Sequence, residues 1–160
     1  MTVARPLISV AIPAFNESAN LDDLVARLQS VFNDLADRYD YEVVICENGS
    51  SDDTYDRLLA IRAVNPRVKI VQLVRNFHME GGMTAALAHV SGDACVIMSA
   101  DLQDPPEMIP RLLEHWEDGY ENVYTVITKR HGEGIARRAA AHVFYWLIDK
   151  ISDRPVPRNS

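Results

Sequence analysis

Carboxylate and amide side chains directly follow several apolar segments of this sequence. They form four groups: Asn16 and Glu17; Glu47 and Asn48; Asp52 and Asp53; and Asp101, Gln103 and Asp104. Oxygen ligands two residues apart, as at Asp101 and Gln103, suit Mg²⁺ or Mn²⁺, which usually share their coordination sphere with substrate phosphates. The pattern predicts a site where a divalent cation neutralises a diphosphate as it leaves.

A structural role is the alternative for these residues, because Asp and Asn also cap helices and close turns. This alternative stays open for Asp52, Asp53 and Asp104. The repetition of the pattern after successive apolar segments favours a binding site for the set as a whole.

Segments of strand length alternate with segments of helical periodicity along the chain. The patterns predict strands at 7–12, 41–46, 68–74, 94–98 and 123–127. They predict helices from an Asn20 N-cap to Leu35, at 54–64, at about 80–90, from an Asp104 N-cap through Trp116, and at 135–151. The alternation indicates an α/β fold, a mostly parallel sheet with helices on both faces, whose ligands gather where the strands end.

Composition bounds the function. The chain has 160 residues, 48% of them hydrophobic, and a formal net charge of −7. These values predict one compact domain and disfavour nucleic acid as a partner, whereas a small anion can still bind beside a cation. Cys46 and Cys95 lie in apolar segments and are predicted to be buried strand thiols.

No segment resembles a signal peptide or reaches the ~20 apolar residues that span a bilayer. We therefore expect a cytoplasmic protein that at most touches a membrane surface. The predicted last helix carries an apolar stripe that suits packing on the sheet, contact with a membrane interface or association into a homo-oligomer.

Several ordered motifs resemble those of family 2 glycosyltransferases. They are Pro13-Ala14-Phe15-Asn16-Glu17, Glu47 to Thr54, Arg75-Asn76-Phe77, Ser91-Gly92-Asp93, and Ala100 to Glu107. The branch they resemble includes dolichyl- and polyprenyl-phosphate sugar transferases and related cell-envelope enzymes. The similarity runs from about Leu7 to the predicted last helix.

The resemblance implies a Rossmann-like GT-A domain that binds a nucleotide diphosphate sugar, UDP- or GDP-linked, together with Mg²⁺ or Mn²⁺. It implies inverting transfer to polyprenyl phosphate or a cell-envelope glycan, with Asp101 as the catalytic residue and Asp101 and Gln103 as metal ligands. The donor-binding residues that it implies are Pro13, Ala14, Phe15, Glu17, Glu47, Ser99, Ala100 and Asp101.

The sequence departs from the family pattern in three ways. Ser99 stands where the metal motif usually begins with Asp, and Glu47-Asn48 stand where the family usually has Asp-Asp. The chain also ends before the segment that normally brings an acceptor-side Asp, so residues 1–160 are expected to be a single domain without that segment. A non-catalytic nucleotide-sugar-binding or assembly module is therefore the alternative function.

Other candidate features are weaker. Arg75, Lys129 and Arg130 would add positive charge near the same loops, or form a solvated basic patch. None of the five histidines is predicted to be catalytic. Glycine-rich dinucleotide and P-loop motifs are missing from the sequence, and a nucleotidyltransferase is disfavoured because a Gly- and Lys-rich entry loop is missing too.

Overall fold

A computed structural model describes residues 4–125. Its elements are β1 (Leu7–Ala14), α1 (Leu21–Asp34), β2 (Asp40–Glu47), α2 (Thr54–Val64), β3 (Val68–Gln72), α3 (His78–Leu87), β4 (Ala94–Ile97), a short 3₁₀ turn (Pro106–Met108) and α4 (Ile109–Glu117). Residues up to Glu114 form one compact unit. His115 begins a second, whose described part contains the end of α4 and a turn at Gly119.

β1 lies inside a parallel sheet with the strand order β3-β2-β1-β4. Val10 of β1 is in register with Val43 of β2 on one side and with Val96 of β4 on the other. Because parallel strands all end at the same edge, the loops that follow them meet there. The predicted mostly parallel α/β sheet is confirmed for the described residues.

Helices cover both faces of this sheet. On one face Ala11 and Val44 pack with Ala86 of α3. On the other face Tyr41 of β2 stacks on Phe32 of α1, with 4.3 Å between the ring centroids. Since successive strand residues point to opposite faces, burial on both sides explains why β1 and β2 are nearly continuous apolar segments.

Most boundaries agree with the predicted ones to within a few residues. α2 has the predicted bounds, whereas α3 begins at His78 and ends at Leu87. Residues 123–125 are neither helix nor strand. The rest of the strand predicted there, and the helix predicted at 135–151, lie outside the described residues. Within residues 4–125, no helix is long and apolar enough to span a bilayer.

Neither residue predicted as an N-cap, Asn20 or Asp104, caps a helix with its side chain. α1 follows Asn20, but the Asn20 side chain does not cap the helix and instead donates a hydrogen bond to Glu17 Oε2 at 2.7 Å. Pro105, not Asp104, precedes the 3₁₀ turn. Asp104 Oδ2 accepts a hydrogen bond from the Ser99 N–H at 3.1 Å, so this carboxylate closes the loop after β4.

The two cysteines differ in exposure. Cys46 is buried as predicted, and burial raises the pKa of its thiol to about 11. The prediction for Cys95 is wrong, because this residue is exposed on β4. Among the described elements β4 makes extensive contact only with β1, so Cys95 and Ile97 lie on a strand face without a described cover.

A buried carboxylate connects three strands of the sheet. Glu42 of β2 is 5% exposed. It accepts hydrogen bonds at 2.7 Å from Ser9 Oγ of β1 and from the Ser91 N–H, and it lies 2.5 Å from Lys69 Nζ of β3. Glu42 therefore links β1, β2, β3 and the segment that precedes β4.

The pKa of Glu42 makes this link dependent on pH. Burial raises the pKa, but the hydrogen bonds from Lys69, Ser9 and Ser91 outweigh burial and lower it from 4.5 to about 2. The folded pKa is thus below the unfolded value. The ionised carboxylate stabilises the fold above the unfolded pKa, and this stabilisation is lost as the pH falls towards the folded pKa.

Replacing Glu42 by Gln should lower the free energy of unfolding at neutral pH by about 2–4 kcal/mol. The neutral amide cannot form an ion pair with Lys69, and its NH₂ group would face groups that themselves donate hydrogen bonds. The difference from wild type should shrink as the pH falls from 4.5 to about 2. Urea denaturation of both proteins across this range measures the difference.

Glu107→Gln is the matched control. The Glu107 side chain is 54% exposed and pairs with Arg27, so water screens this interaction and its removal should cost much less. A stability loss for Glu42→Gln that stays constant from neutral to acid pH would contradict the stabilising role of the ionised Glu42 carboxylate.

Candidate functional site

A cleft of about 280 Å³ opens at the edge of the sheet where the parallel strands end. It lies beside β1, where the strand order reverses from β2 to β4, which is the position where open parallel sheets bind their ligands. The residues that line it come from the end of β1, from the loops after β1, β2, β3 and β4, and from the first turn of α3: Pro13, Ala14, Phe15, Glu17, Asn48, Asn76, His78, Met79, Ser99, Ala100 and Asp101.

The loop after β1 is fixed against the loop after β2. Asn16 has a left-handed backbone, with φ of 56°. Its N–H donates a hydrogen bond to Ser50 Oγ at 3.0 Å, and its Oδ1 accepts one from the Ser51 N–H at 2.8 Å. Phe15 lies between β1 and this turn and leaves 41% of its surface exposed at the cleft.

Glu17 is half-buried, and its backbone is tied to the start of α2. The Glu17 N–H donates to Thr54 Oγ1 at 2.8 Å. Asp52 accepts hydrogen bonds from the Thr54 N–H at 3.0 Å and from the Ser18 N–H at 3.3 Å, and it does not line the cleft. These contacts give Asp52 the structural role that the sequence left open.

Asn48 connects the loops after β1, β2 and β3. It is 3% exposed. Its N–H donates to the Ala14 carbonyl at 2.9 Å, its Nδ2 donates to the His78 carbonyl at 2.8 Å, and its Oδ1 accepts from the Phe77 N–H at 2.9 Å. One buried amide therefore sets the position of the residues that enter α3.

Two glycines allow these loops to approach each other. Gly49 has φ of 70°, and a Cβ there would lie 2.4 Å from the carbonyl carbon of Arg75. A Cβ at Gly82 would lie 3.0 Å from Asn48 Nδ2. A side chain at Gly49 would push the loop after β3 away from the cleft, because the neighbouring atoms are backbone and cannot rotate aside.

Glu47 does not line the cleft, although the resemblance assigns it to the donor site. It is 2% exposed, and its Oε1 accepts a hydrogen bond from the Ser50 N–H at 2.5 Å. The side chain of the next residue, Asn48, lines the cleft instead.

The loop after β4 is organised around the carboxylate of Asp101. Ser99 Oγ donates a hydrogen bond to Asp101 Oδ1, which also accepts one from the Gln103 N–H at 3.1 Å. Leu102 between them is left-handed, with φ of 61°. Ser99, Ala100 and Asp101 line the cleft as predicted, whereas Gln103 is exposed outside the lining.

In the loop after β4, Asp101 is the carboxylate that lines the cleft. Within residues 4–125, no group of three or more His, Cys, Asp or Glu side chains could hold a metal ion. Mg²⁺ nevertheless keeps several waters and often binds proteins through one or two carboxylates and the phosphates of a substrate. Asp101 fits that mode, because it is exposed and no described residue pairs it with a cation.

Of the predicted positive charges, Arg75 is the one within the described residues, and it does not line the cleft. The Arg75 guanidinium lies over the Phe77 ring, 4.0 Å from its centroid. Lys129 and Arg130 lie outside the described residues.

Four of the lining residues are outside the donor-binding set that the resemblance implied: Asn48, Asn76, His78 and Met79. Asn48 lies in the Glu47 to Thr54 motif and Asn76 in the Arg75-Asn76-Phe77 motif, so the sequence contained a signal for both residues. The parallel sheet predicted that the loop containing His78 and Met79 would reach this edge, but it did not select these two residues, because their position depends on the turn that Asn48 holds.

Comparison with known proteins gives one consistent result. The chain matches the family model for glycosyl transferase family 2 over residues 9–158. It is 37% identical over 153 residues to an uncharacterized glycosyltransferase of Synechocystis sp., covering 96% of this chain and 48% of that protein. It is 35% identical over 152 residues to the bactoprenol glucosyl transferase of Shigella phage SfX, covering 95% and 49%.

A third relative is the undecaprenyl-phosphate 4-deoxy-4-formamido-L-arabinose transferase of Klebsiella pneumoniae, 36% identical over 148 residues, which are 92% of this chain and 44% of that protein. The chain thus spans about half the length of the curated relatives it matches.

Solved structures share the fold. A mannosyltransferase from Pyrobaculum calidifontis, in complex with GDP-Man and Mn²⁺, matches with a TM-score of 0.57 at 19% identity, over 70% of this chain and 32% of that one. Glucosyl-3-phosphoglycerate synthase from Mycobacterium tuberculosis, in complex with Mn²⁺, UDP and phosphoglyceric acid, matches with a TM-score of 0.61 at 25% identity, over 95% and 53%. These matches confirm the predicted GT-A fold. Since the family model also spans every residue that lines the cleft, the chain belongs to glycosyl transferase family 2.

Proposed function

We propose that the protein containing this chain transfers a sugar from a nucleotide diphosphate sugar to an acceptor, with inversion at the anomeric carbon and assistance from a divalent cation. The observation that carries the proposal is the cleft at the reversal of strand order, lined by Phe15 from the loop after β1 and Asp101 from the loop after β4. Family membership supports the reaction class.

The nucleoside is proposed to bind along Pro13, Ala14 and Phe15, with Glu17 near the ribose. The exposed ring of Phe15 offers a flat apolar surface for a base. One oxygen of Glu17 accepts from Asn20, and its other oxygen can accept from a ribose hydroxyl. Glu47 would act indirectly, by holding the turn at Ser50. Uridine and guanosine both stay candidates.

Asp101 is proposed as the catalytic residue and the main metal ligand, with Ser99 and Ala100 beside the diphosphate. A cation held there would neutralise the negative charge of the departing nucleoside diphosphate. Among the described contacts only Oδ1 of Asp101 accepts hydrogen bonds, which leaves Oδ2 for the ion. Gln103 is proposed as a second ligand that must turn towards the cleft.

We propose polyprenyl phosphate as the acceptor. The names of two relatives, a bactoprenol glucosyl transferase and an undecaprenyl-phosphate aminosugar transferase, support this choice. A phosphate monoester is already ionised near neutral pH, since its second pKa is about 6. Its oxygen can therefore attack the anomeric carbon without a general base, whereas the hydroxyl of a cell-envelope glycan would need one. Such an acceptor lies at a membrane surface, and we propose the cytoplasmic face.

Asp101→Asn should weaken Mn²⁺-dependent binding of UDP or GDP by about tenfold or more, because the amide cannot supply the charge of a metal ligand. Isothermal titration with each nucleotide, with and without Mn²⁺, measures this effect and identifies the base. Asp34→Asn makes the same charge change at the exposed end of α1 and should leave binding unchanged.

Equal nucleotide affinities for wild type and Asp101→Asn would contradict the site, and no binding by the wild type would contradict donor recognition by this chain. Release of nucleoside diphosphate with polyprenyl phosphate supplied separates a transferase from a non-catalytic binding module.

Ser99→Asp should lower the Mn²⁺ concentration needed for half-maximal nucleotide binding by about tenfold, because a second carboxylate joins Asp101 at the ion. The serine hydroxyl that now donates to Asp101 is removed at the same time. Titration of Mn²⁺ at fixed nucleotide gives the midpoint. Gln29→Asp adds the same charge on α1 away from the cleft and should not move it. A higher midpoint for Ser99→Asp would mean that the serine hydroxyl serves the site better than a carboxylate.

A further inference from the structure

His78 has a backbone conformation that a histidine rarely adopts. Its φ is 62°, in the left-handed region. The other described non-glycine residues with positive φ are Asn16 and Leu102, which lie in the loops after β1 and β4. Such a conformation costs free energy for any residue with a Cβ and almost none for glycine. Strained residues of this kind concentrate where a function requires their side chains.

The contacts that hold His78 in this conformation involve its backbone. The His78 N–H donates to Asn76 Oδ1 at 2.7 Å, and the His78 carbonyl accepts from Asn48 Nδ2 at 2.8 Å. Glycine would satisfy the same hydrogen bonds with less strain. The fold therefore does not explain why an imidazole occupies this position.

The imidazole is free to bind a ligand. His78 is exposed, lines the cleft, and makes no side-chain hydrogen bond to another residue within 4–125. The other described histidines differ in this respect. His89 Nδ1 lies 2.8 Å from the Ala85 carbonyl, and His115 Nδ1 lies 4.0 Å from Asp118. Neither of these two residues lines the cleft.

The charges around the cleft define what His78 would bind. Among the lining residues within 4–125, Glu17 and Asp101 are acidic and none is Lys or Arg. Arg75 stacks on Phe77 outside the lining, and Glu80 lies in the first turn of α3. Within the described lining, His78 is the one side chain that can carry a positive charge.

We propose that the His78 imidazole donates a hydrogen bond to the diphosphate of the nucleotide-sugar donor. This inference rests on the proposed function and adds a residue to it. The neutral ring supplies one N–H and the protonated ring two, whereas the cation at Asp101 binds other diphosphate oxygens.

The test compares wild type with His78→Gly and His78→Asn. Both variants should keep the melting temperature of wild type or exceed it, because glycine and asparagine tolerate a left-handed backbone. Whichever of UDP and GDP the wild type binds should bind His78→Gly about tenfold more weakly. The corresponding nucleoside, which lacks the diphosphate, should bind all three proteins equally. His89→Gln is the control and should bind both ligands as wild type does.

The outcomes separate this inference from the proposed function. Loss of nucleoside diphosphate binding without loss of nucleoside binding supports the contact. If both His78→Gly and His78→Asn show this loss, the cause is removal of the imidazole and not the flexibility of glycine. Equal loss of both ligands would mean that His78 shapes the nucleoside pocket, which overturns the inference. Unchanged nucleotide binding in both variants would overturn it while leaving the proposed function intact. Failure of wild type to bind either nucleotide would overturn both.

Discussion

The pairing of β1 with strands on both sides is the constraint on which the cleft depends. In a parallel pair, alternate residues of a strand bond to the same neighbour. The Ala11 carbonyl accepts from Met98 on the β4 side, and the Ala14 carbonyl accepts from Asn48 on the β2 side. Pro13 therefore faces β4, as Ala11 does, but has no N–H to donate. The β1–β4 pairing ends at Ala11, while β1 continues beside β2 to Ala14. Beyond Ala11, β1 and the segment after β4 separate, and the cleft lies between them.

Once the strands diverge, side chains must hold the loops, because their backbone groups have lost the sheet. Asn16, Asn48 and Asp52 do this through hydrogen bonds to backbone N–H or carbonyl groups of neighbouring loops. The polar residues that follow the strands thus have two roles. Asn16 and Asp52 fix the loops, Glu17 and Asp101 line the cleft, and Asn48 does both. A structural role and a binding role are complementary here, since the first makes the geometry of the second reproducible.

The sequence was sufficient for what depends on local pattern. Continuous apolar segments predicted β1 and β2, helical periodicity predicted α1 and α2, and the loops of the cleft followed from the parallel sheet. The sequence was not sufficient where a tertiary contact decides. Which of Glu47 and Asn48 borders the cleft depends on how the loop after β2 turns, and the position of His78 depends on Asn48. The exposure of Cys95 depends on which elements cover β4, and an apolar segment alone cannot reveal that.

The distribution of charge around the cleft supports the proposed cation. The buried carboxylate of Glu42 has Lys69 beside it and hydrogen bonds from two serines. Glu17 and Asp101 line the cleft, and none of the described lining residues is Lys or Arg, in a chain of net charge −7. A ligand with a diphosphate would meet repulsion there unless positive charge arrived with it or was already present. In the proposed complex, a divalent ion at Asp101 would neutralise part of the diphosphate charge, and the His78 imidazole would donate a hydrogen bond to it. The two differ in origin, because a divalent ion would bind together with the nucleotide, whereas the imidazole belongs to the chain.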